Sequence, residues 1–271
     1  MHPDSVSVPA PAMPGSAIDL FSLRGRAALV TGGGKGLGLA MATALASQGA
    51  AVCLSGRHEE TLQNACAGIT RDTGSVATYV VADQCERAES RRLAEAAIAA
   101  LGRIDILVNN AGTNDPQAID EITDETWDRI VELNLSSAMA LSRAVVPGMK
   151  ARRWGRIIHI TSVMGIASYP GRSVYSATKA GLIGMTKASA LDVGPFGITV
   201  NCVAPGPFLT DLPRKVFTQE IIDAVGQRTA VLRWGEPTEL SGPVLLLASD
   251  AGSFITGSTL VVDGGALTRT M

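Results

Sequence analysis

The chain has 271 residues, of which 46% are hydrophobic and 18% are charged, and its formal net charge is −2. This composition supports a large buried core, and the absence of a dominating Lys/Arg run argues against nucleic acid or an anionic membrane surface as a partner. No run of 18 or more apolar residues predicts a membrane span.

The first 22 residues are rich in proline and lack the basic start and apolar block of a signal peptide. We therefore predict a loose extension over residues 1–22, followed by one domain over residues 23–271. The four cysteines form no C-x-x-C pair, so they predict buried thiols in a reducing cytoplasm and no zinc site.

From residue 27 onward, short apolar runs alternate with longer helix-like stretches such as 38–48 and 123–150. The runs are rich in Val, Ile and Ala with little alternation, as strands covered on both faces should be. This order predicts an α/β fold with a doubly wound parallel sheet and helices on both faces. The predicted strands are 27–30, 50–54, 77–81, 104–108, 156–160, 198–203 and 259–262.

The first predicted strand leads into a glycine-rich turn, Thr31-Gly-Gly-Gly-Lys-Gly-Leu-Gly38, which opens a helix. Glycines let a backbone approach a diphosphate, and the free N–H groups of a helix start favour an anion. The strict G-x-G-x-x-G spacing is absent, and Gly36 follows Lys35 where a P-loop has Ser or Thr. Taken alone, the turn is also consistent with a tight connection.

The T-G-x-x-x-G-x-G spacing resembles that of short-chain dehydrogenases/reductases, and the resemblance extends over roughly residues 20–265. It implies a single Rossmann-type sheet of about seven strands. The other matching elements are Asn109-Asn110-Ala111-Gly112, Asn134, Ser162, the Y-x-x-x-K pair Tyr175 and Lys179, the Pro205-Gly206 turn, and Val262-Asp263-Gly264-Gly265.

Tyr175 and Lys179 are four residues apart, so on a helix both side chains face one way. A phenol has a pKa of about 10, and a nearby cation lowers it by about one to three units, towards neutrality. Lys179, with the oxidised nicotinamide, is expected to act so on Tyr175, while Ser162 holds the substrate oxygen. By resemblance, Asn134 positions a water that relays protons through Lys179. Singly, each residue is consistent with packing or capping; together they predict catalysis, whereas we interpret His159 as structural.

The end of the second strand bears on the choice of nicotinamide cofactor. NAD-preferring enzymes place Asp or Glu there, but Gly56 holds that position and Arg57 follows it. Arg57 and Lys35 can pair with a 2'-phosphate, which predicts NADP(H), with NAD(H) as the alternative. Asp83 resembles the family residue that contacts adenine. The predicted cofactor contacts are Gly32, Gly34, Lys35, Gly36, Leu37, Gly38, Arg57, Asp83, Gln84, Asn110, Ala111, Gly112, Tyr175, Lys179, Pro205, Gly206 and Thr210; no metal ligand is predicted.

The substrate is predicted only as a small carbonyl or alcohol compound. Residues 156–211 resemble 3-oxoacyl-carrier-protein reductases, whereas residues 228–240 resemble gluconate 5-dehydrogenases. Of the two basic positions that would dock an acidic carrier protein, Arg153 matches one and Phe196 replaces the other, which favours a small free ketone or keto-sugar acid over an acyl-carrier thioester. Residues 208–233, expected to close over the substrate, carry no diagnostic pattern. A non-catalytic nucleotide sensor or a scaffold is the remaining alternative, although neither needs Ser162, Tyr175 and Lys179 together.

The resemblance also implies a homotetramer built through helices over 123–150 and 174–193 and through the C-terminal strand. The segment 133–146 is mostly apolar or small, and its exposure on a monomer would be unfavourable.

Overall fold

The computed structural model describes residues 16–210, 215 and 217–268. Within these residues the apolar runs form a parallel sheet in the order β3-β2-β1-β4-β5-β6-β7. All seven predicted strands are confirmed, with ends that differ from the predicted ones by at most two residues. The strands are β1 (Ala27–Thr31), β2 (Ala51–Gly56), β3 (Ala77–Val81), β4 (Ile106–Asn109), β5 (Gly155–Ile160), β6 (Ile198–Pro205) and β7 (Thr259–Val262).

Helices cover both faces of the sheet, as predicted. One apolar layer includes Leu45, Leu62 and Val244, and the other includes Leu93 and Leu141. Each such fully buried side chain stabilises the fold by about 1.5–3 kcal/mol. The α-helices of the described residues are α1 (Gly36–Ser47), α2 (Glu59–Thr73), α3 (Arg87–Leu101), α4 (Asp124–Val131), α5 (Ser137–Arg152), α6 (Ser173–Val193), α7 (Gln219–Gly226) and α8 (Ser241–Ala248).

The continuous helix expected over 123–150 is interrupted. Helix α4 passes through a π-helical turn at Glu132–Ser136 before α5 begins. A π turn holds one more residue per turn than an α-helix, so it shifts the side chains that follow onto a new face. The interruption places Asn134 at the widened turn.

The predicted N-terminal extension falls mostly on residues 1–15, outside the described residues. From residue 16 the chain forms a short 3-10 helix, Ala17–Phe21, in which the Ser16 side chain accepts a hydrogen bond from the Ile18 N–H. Leu23 then enters the core just before β1.

The strand order reverses beside β1, which pairs with β2 on one side and β4 on the other. In sheets of this kind a crevice opens at that point, outside the carboxyl ends of the strands. The candidate site lies at this edge. No helix of the described chain is both long and apolar enough to cross a bilayer.

Candidate active site

The glycine-rich turn between β1 and α1 forms a backbone cradle. Gly32 and Gly36 have φ values of +61° and +54°, a region that side chains rarely adopt. A Cβ on Gly38 would lie 2.1 Å from the Gly32 carbonyl oxygen, so only glycine lets α1 pack this closely. Lys35 precedes α1 without a side-chain capping bond, which leaves the first N–H groups of the helix available to an anion.

Thr31 ties this cradle to the end of β4. Its Oγ1 accepts hydrogen bonds from the backbone N–H groups of Asn110 and Ala111, each at 2.9 Å. The Asn110 Nδ2 in turn donates to the Thr31 carbonyl at 2.8 Å and to the Gly32 carbonyl at 3.2 Å. The motif in the sequence includes Thr31 but does not indicate this role. The feature that could have indicated it is a polar residue at the end of an otherwise apolar strand.

On the far side of the cradle, β2 ends at Gly56 with no acidic residue there, and Arg57 is exposed beyond it. Neither Arg57 nor Lys35 forms an ion pair or hydrogen bond with its side chain within the described residues. Asp83 accepts a hydrogen bond from the Cys85 N–H at 3.0 Å, and Gln84, only 4% exposed, leaves its Nε2 unpaired there. These unpaired groups fit a phosphate-bearing nucleotide.

The catalytic candidates Tyr175 and Lys179 lie on α6, and Ser162 follows β5. The Ser162 Oγ accepts a hydrogen bond from the Met164 N–H at 3.1 Å, and it lies near enough to the Tyr175 hydroxyl to lower the pKa of that group. Burial raises the pKa of Tyr175, and the Ser162 hydroxyl and the charge of Arg172 oppose that shift. The lowered pKa expected from the sequence is therefore not found in the protein alone, because burial is the largest effect.

The Lys179 ammonium is 3% exposed and donates a hydrogen bond to the Ile160 carbonyl at 2.8 Å. It lies 5.5 Å from the centre of the Tyr175 ring. Burial lowers the pKa of Lys179 to about 8, and the neighbouring Cys202 thiol opposes the shift. At neutral pH the Lys179 side chain is therefore mostly charged, whereas the cation that lowers the pKa of Tyr175 in the protein alone is Arg172.

Asn134 reaches this group from the π-helical turn. Its Oδ1 accepts from the Thr113 N–H at 2.9 Å, and its Nδ2 donates to the Thr113 carbonyl at 2.9 Å and to the Thr178 Oγ1 at 3.2 Å. A Cβ on Gly112 would lie 3.2 Å from the Asn134 Oδ1 and 3.4 Å from the Lys179 Nζ. Gly112 thus keeps the space between amide and ammonium free of a side chain, as a bridging water requires.

The remaining predicted contacts close the crevice from the other edge. The Gly206 N–H, just after Pro205, donates to the Val262 carbonyl, and a Cβ on Gly206 would lie 2.6 Å from the Asp263 Cβ. The Thr210 methyl lies 3.5 Å from the position of a Cβ on Gly36, so Thr210 faces the glycine turn. The segment 208–233 lies partly outside the described residues.

His159 is buried on β5, with its Nδ1 3.1 Å from the Asn109 Nδ2. Burial, followed by the charge of Lys179, lowers the pKa of His159 to about 4, so its ring is neutral at physiological pH. Within the described part of the chain, no hydrogen bond joins His159 to Ser162 or Tyr175, and its structural role stays a prediction.

The family model described as enoyl-(acyl carrier protein) reductase matches residues 32–267, nearly the whole described chain. The chain belongs to the short-chain dehydrogenase/reductase family. Relatives of this short-chain dehydrogenase/reductase include a gluconate 5-dehydrogenase of Gluconobacter oxydans, 38% identical over 91% of this chain and 96% of that protein. A 3-oxoacyl-[acyl-carrier-protein] reductase of Rickettsia conorii is 39% identical over 92% of this chain and 99% of its own length.

Among solved structures of the family, a gluconate 5-dehydrogenase from Burkholderia cenocepacia in complex with NADP and tartrate superposes with a TM-score of 0.88. It is 38% identical, and the alignment covers 94% of this chain and 100% of that one. Both subfamilies to which the sequence bears a resemblance are therefore among its relatives.

Proposed function

We propose that this short-chain dehydrogenase/reductase is an NADP(H)-dependent enzyme that interconverts a ketone and a secondary alcohol on a small keto acid, sugar acid or similar compound. The observation that carries the proposal is the convergence of Ser162, Tyr175 and Lys179 beside the phosphate cradle. The bound nicotinamide would supply or accept the hydride. Gly32–Gly38, Asn110 and Thr210 would hold the nucleotide, with Asp83 and Gln84 at the adenine.

The protein's own part in the reaction is proton transfer and orientation. The hydroxyl groups of Ser162 and Tyr175 would hold the substrate oxygen between them. During reduction Tyr175 donates its proton to that oxygen, and the Lys179 ammonium stabilises the phenolate that remains. A water in the gap beside Gly112 would return the proton by way of Lys179.

The cofactor preference rests on charge at the end of β2. A 2'-phosphate would meet Arg57 and Lys35, whereas the hydroxyl of NAD(H) finds no acidic partner at Gly56. Arg57→Ala should erode the preference for NADPH over NADH chiefly through KM, because the contact exists in ground and transition states alike. Steady-state kinetics with both cofactors test this, and equal efficiency of the wild type with NADH and NADPH would refute the preference.

The substrate class follows from the relatives and from the surface near α6. The Burkholderia enzyme was solved in complex with NADP and tartrate, and tartrate is a hydroxy acid. Arg153, the basic residue that would dock a carrier protein, donates its Nη2 hydrogen to the Pro195 carbonyl at 3.1 Å, and Phe196 packs against Lys150. We therefore favour free acids over 3-oxoacyl-carrier-protein reduction; much faster reduction of an acetoacetyl-carrier protein than of its small thioester analogue would reverse this choice.

A cofactor-linked screen tests the activity itself. NADPH oxidation should appear with some members of a panel of keto acids, keto-sugars and α-diketones. No turnover of any member, with NADPH still binding, would favour the non-catalytic sensor.

The proposal includes a cytoplasmic homotetramer, supported by four unpaired cysteines and by exposed apolar side chains on α6 and near β7.

A further inference from the structure

Arg172 directly precedes the helix that carries Tyr175, and it has no role in the proton transfer described above. It is the residue that precedes α6, three positions before Tyr175, and its charge acts on the phenol. A cation at a helix N-terminus faces the positive end of the helix dipole, which is unfavourable. Its presence there indicates a use other than helix stability.

The Arg172 guanidinium, half-buried, has no ion pair or hydrogen bond within the described part of the chain. Asp115, one of the three acidic residues of the adjoining loop, is already paired with Arg129 at 2.8 Å. A partly desolvated guanidinium prefers a carboxylate, which it binds through two parallel hydrogen bonds. Among the described residues, the Arg172 guanidinium is therefore an unpaired cation on the segment that leads into the helix of Tyr175.

The loop after β4 borders the same place. It is tied to Asn134 through Thr113 and to Gly171 through the Gln117 N–H, which donates to the Gly171 carbonyl at 3.1 Å. In the stretch from Thr113 to Gln117, the Asn114 Oδ1 and the Gln117 Oε1 are buried without a hydrogen-bond partner among the described residues. Buried unpaired acceptors of this kind suit the hydroxyl groups of a ligand.

We propose that Arg172 binds the carboxylate of the substrate and so makes the enzyme selective for hydroxy acids and keto acids. Asn114 and Gln117 would take hydroxyl groups along the carbon chain. This inference rests on the proposed function, because it assigns a residue of the same site. Arg172 is here a binding residue, and the proton still comes from Tyr175.

Three variants separate carboxylate binding by Arg172 from the effect of its charge on Tyr175. Arg172→Gln removes the charge, and Arg172→Lys keeps the charge on Tyr175 but loses the two-pronged geometry. Arg91→Gln, on the exposed surface of α3, is the matched control. In calorimetry, NADPH-saturated wild type and Arg91→Gln should bind tartrate, and Arg172→Gln should bind it about 10- to 100-fold more weakly, with Arg172→Lys between them.

Kinetics on a keto acid and its amide give the second readout. The ratio of kcat/KM for the acid over the amide should fall about 10- to 100-fold in Arg172→Gln, mainly through KM, and less in Arg172→Lys. Turnover with an unchanged ratio, unchanged tartrate binding in Arg172→Gln, or a wild type that binds no tartrate would each overturn the inference while leaving the oxidoreductase proposal intact. If the enzyme shows no turnover, but tartrate binding is lost only in the Arg172 variants, the proposed reaction is overturned and the role of Arg172 in binding a carboxylate is kept.

Discussion

At the scale of single residues, the candidate site depends on burial as much as on charge. The pKa of Tyr175 is raised by burial, while that of Lys179 is lowered to about 8 by the same cause. Both shifts favour neutral forms in the protein alone. The sequence indicates both residues through their spacing, but it cannot show Arg172, because an isolated arginine ahead of a helix matches no motif.

These shifts predict opposite pH dependence in the two directions. Reduction needs the protonated phenol, so its kcat/KM should hold through neutral pH and fall at alkaline pH, where Lys179 loses its charge and Tyr175 then loses its proton. Oxidation needs the phenolate and should rise over the same alkaline range. Initial rates from pH 6 to 10 with each cofactor form test this. A reductive rate that climbs with pH would contradict it.

At the scale of elements, the apolar runs are enough to predict the strands, since buried parallel strands need little else. The π-helical turn at Glu132–Ser136 could not be predicted in this way, because the residues around it have the pattern of a continuous helix. What the structure adds is the contact of this turn with α6, where Asn134 bonds Thr178. The order of the motifs along the chain could be predicted from the sequence. The distances between their side chains could not, because they depend on tertiary packing.

The short 3-10 helix Val163–Gly165 after β5 packs against α6 at Gly165. A Cβ there would lie 2.8 Å from the Lys179 carbonyl carbon and 3.0 Å from the Thr161 Oγ1, so the loop must shift. We expect Gly165→Ala to cost about 1–3 kcal/mol of unfolding free energy and to lower kcat by moving Ser162 from Tyr175. Gly68→Ala on α2, with only an arginine tip at 3.9 Å, is the control and should leave kcat unchanged. Chemical denaturation and kinetics measure both effects; wild-type kcat in Gly165→Ala would show that this contact does not position Ser162.

At the scale of the whole molecule, the surface indicates assembly. Phe254 is 102% exposed, and Val261 on the edge strand β7 is 39% exposed. Apolar groups at a sheet edge favour association with another copy. Val261 lies on the C-terminal strand and Phe254 in the turn before it, and this strand is one of the tetramer contacts predicted from the sequence.

Light scattering should therefore give a mass near four times 28.0 kDa for the wild type. Phe254→Asp combined with Val261→Asp should yield a smaller species, because a charge buried in an interface without a partner is strongly unfavourable. Val76→Asp, which alters an exposed apolar residue beside β3 at the opposite edge, is the control and should stay tetrameric. A wild type that is a stable monomer at micromolar concentration would refute the assembly.

The central claim is that Tyr175 exchanges the proton while the rest of the site binds NADP(H). The most direct test is Tyr175→Phe, which keeps the buried ring and removes only the hydroxyl. Single-turnover and steady-state rates should fall by about two to four orders of magnitude, the usual size of a general acid–base contribution, while the Kd for NADPH stays near that of the wild type. A variant that binds NADPH and retains a kcat near the wild-type value would contradict the account.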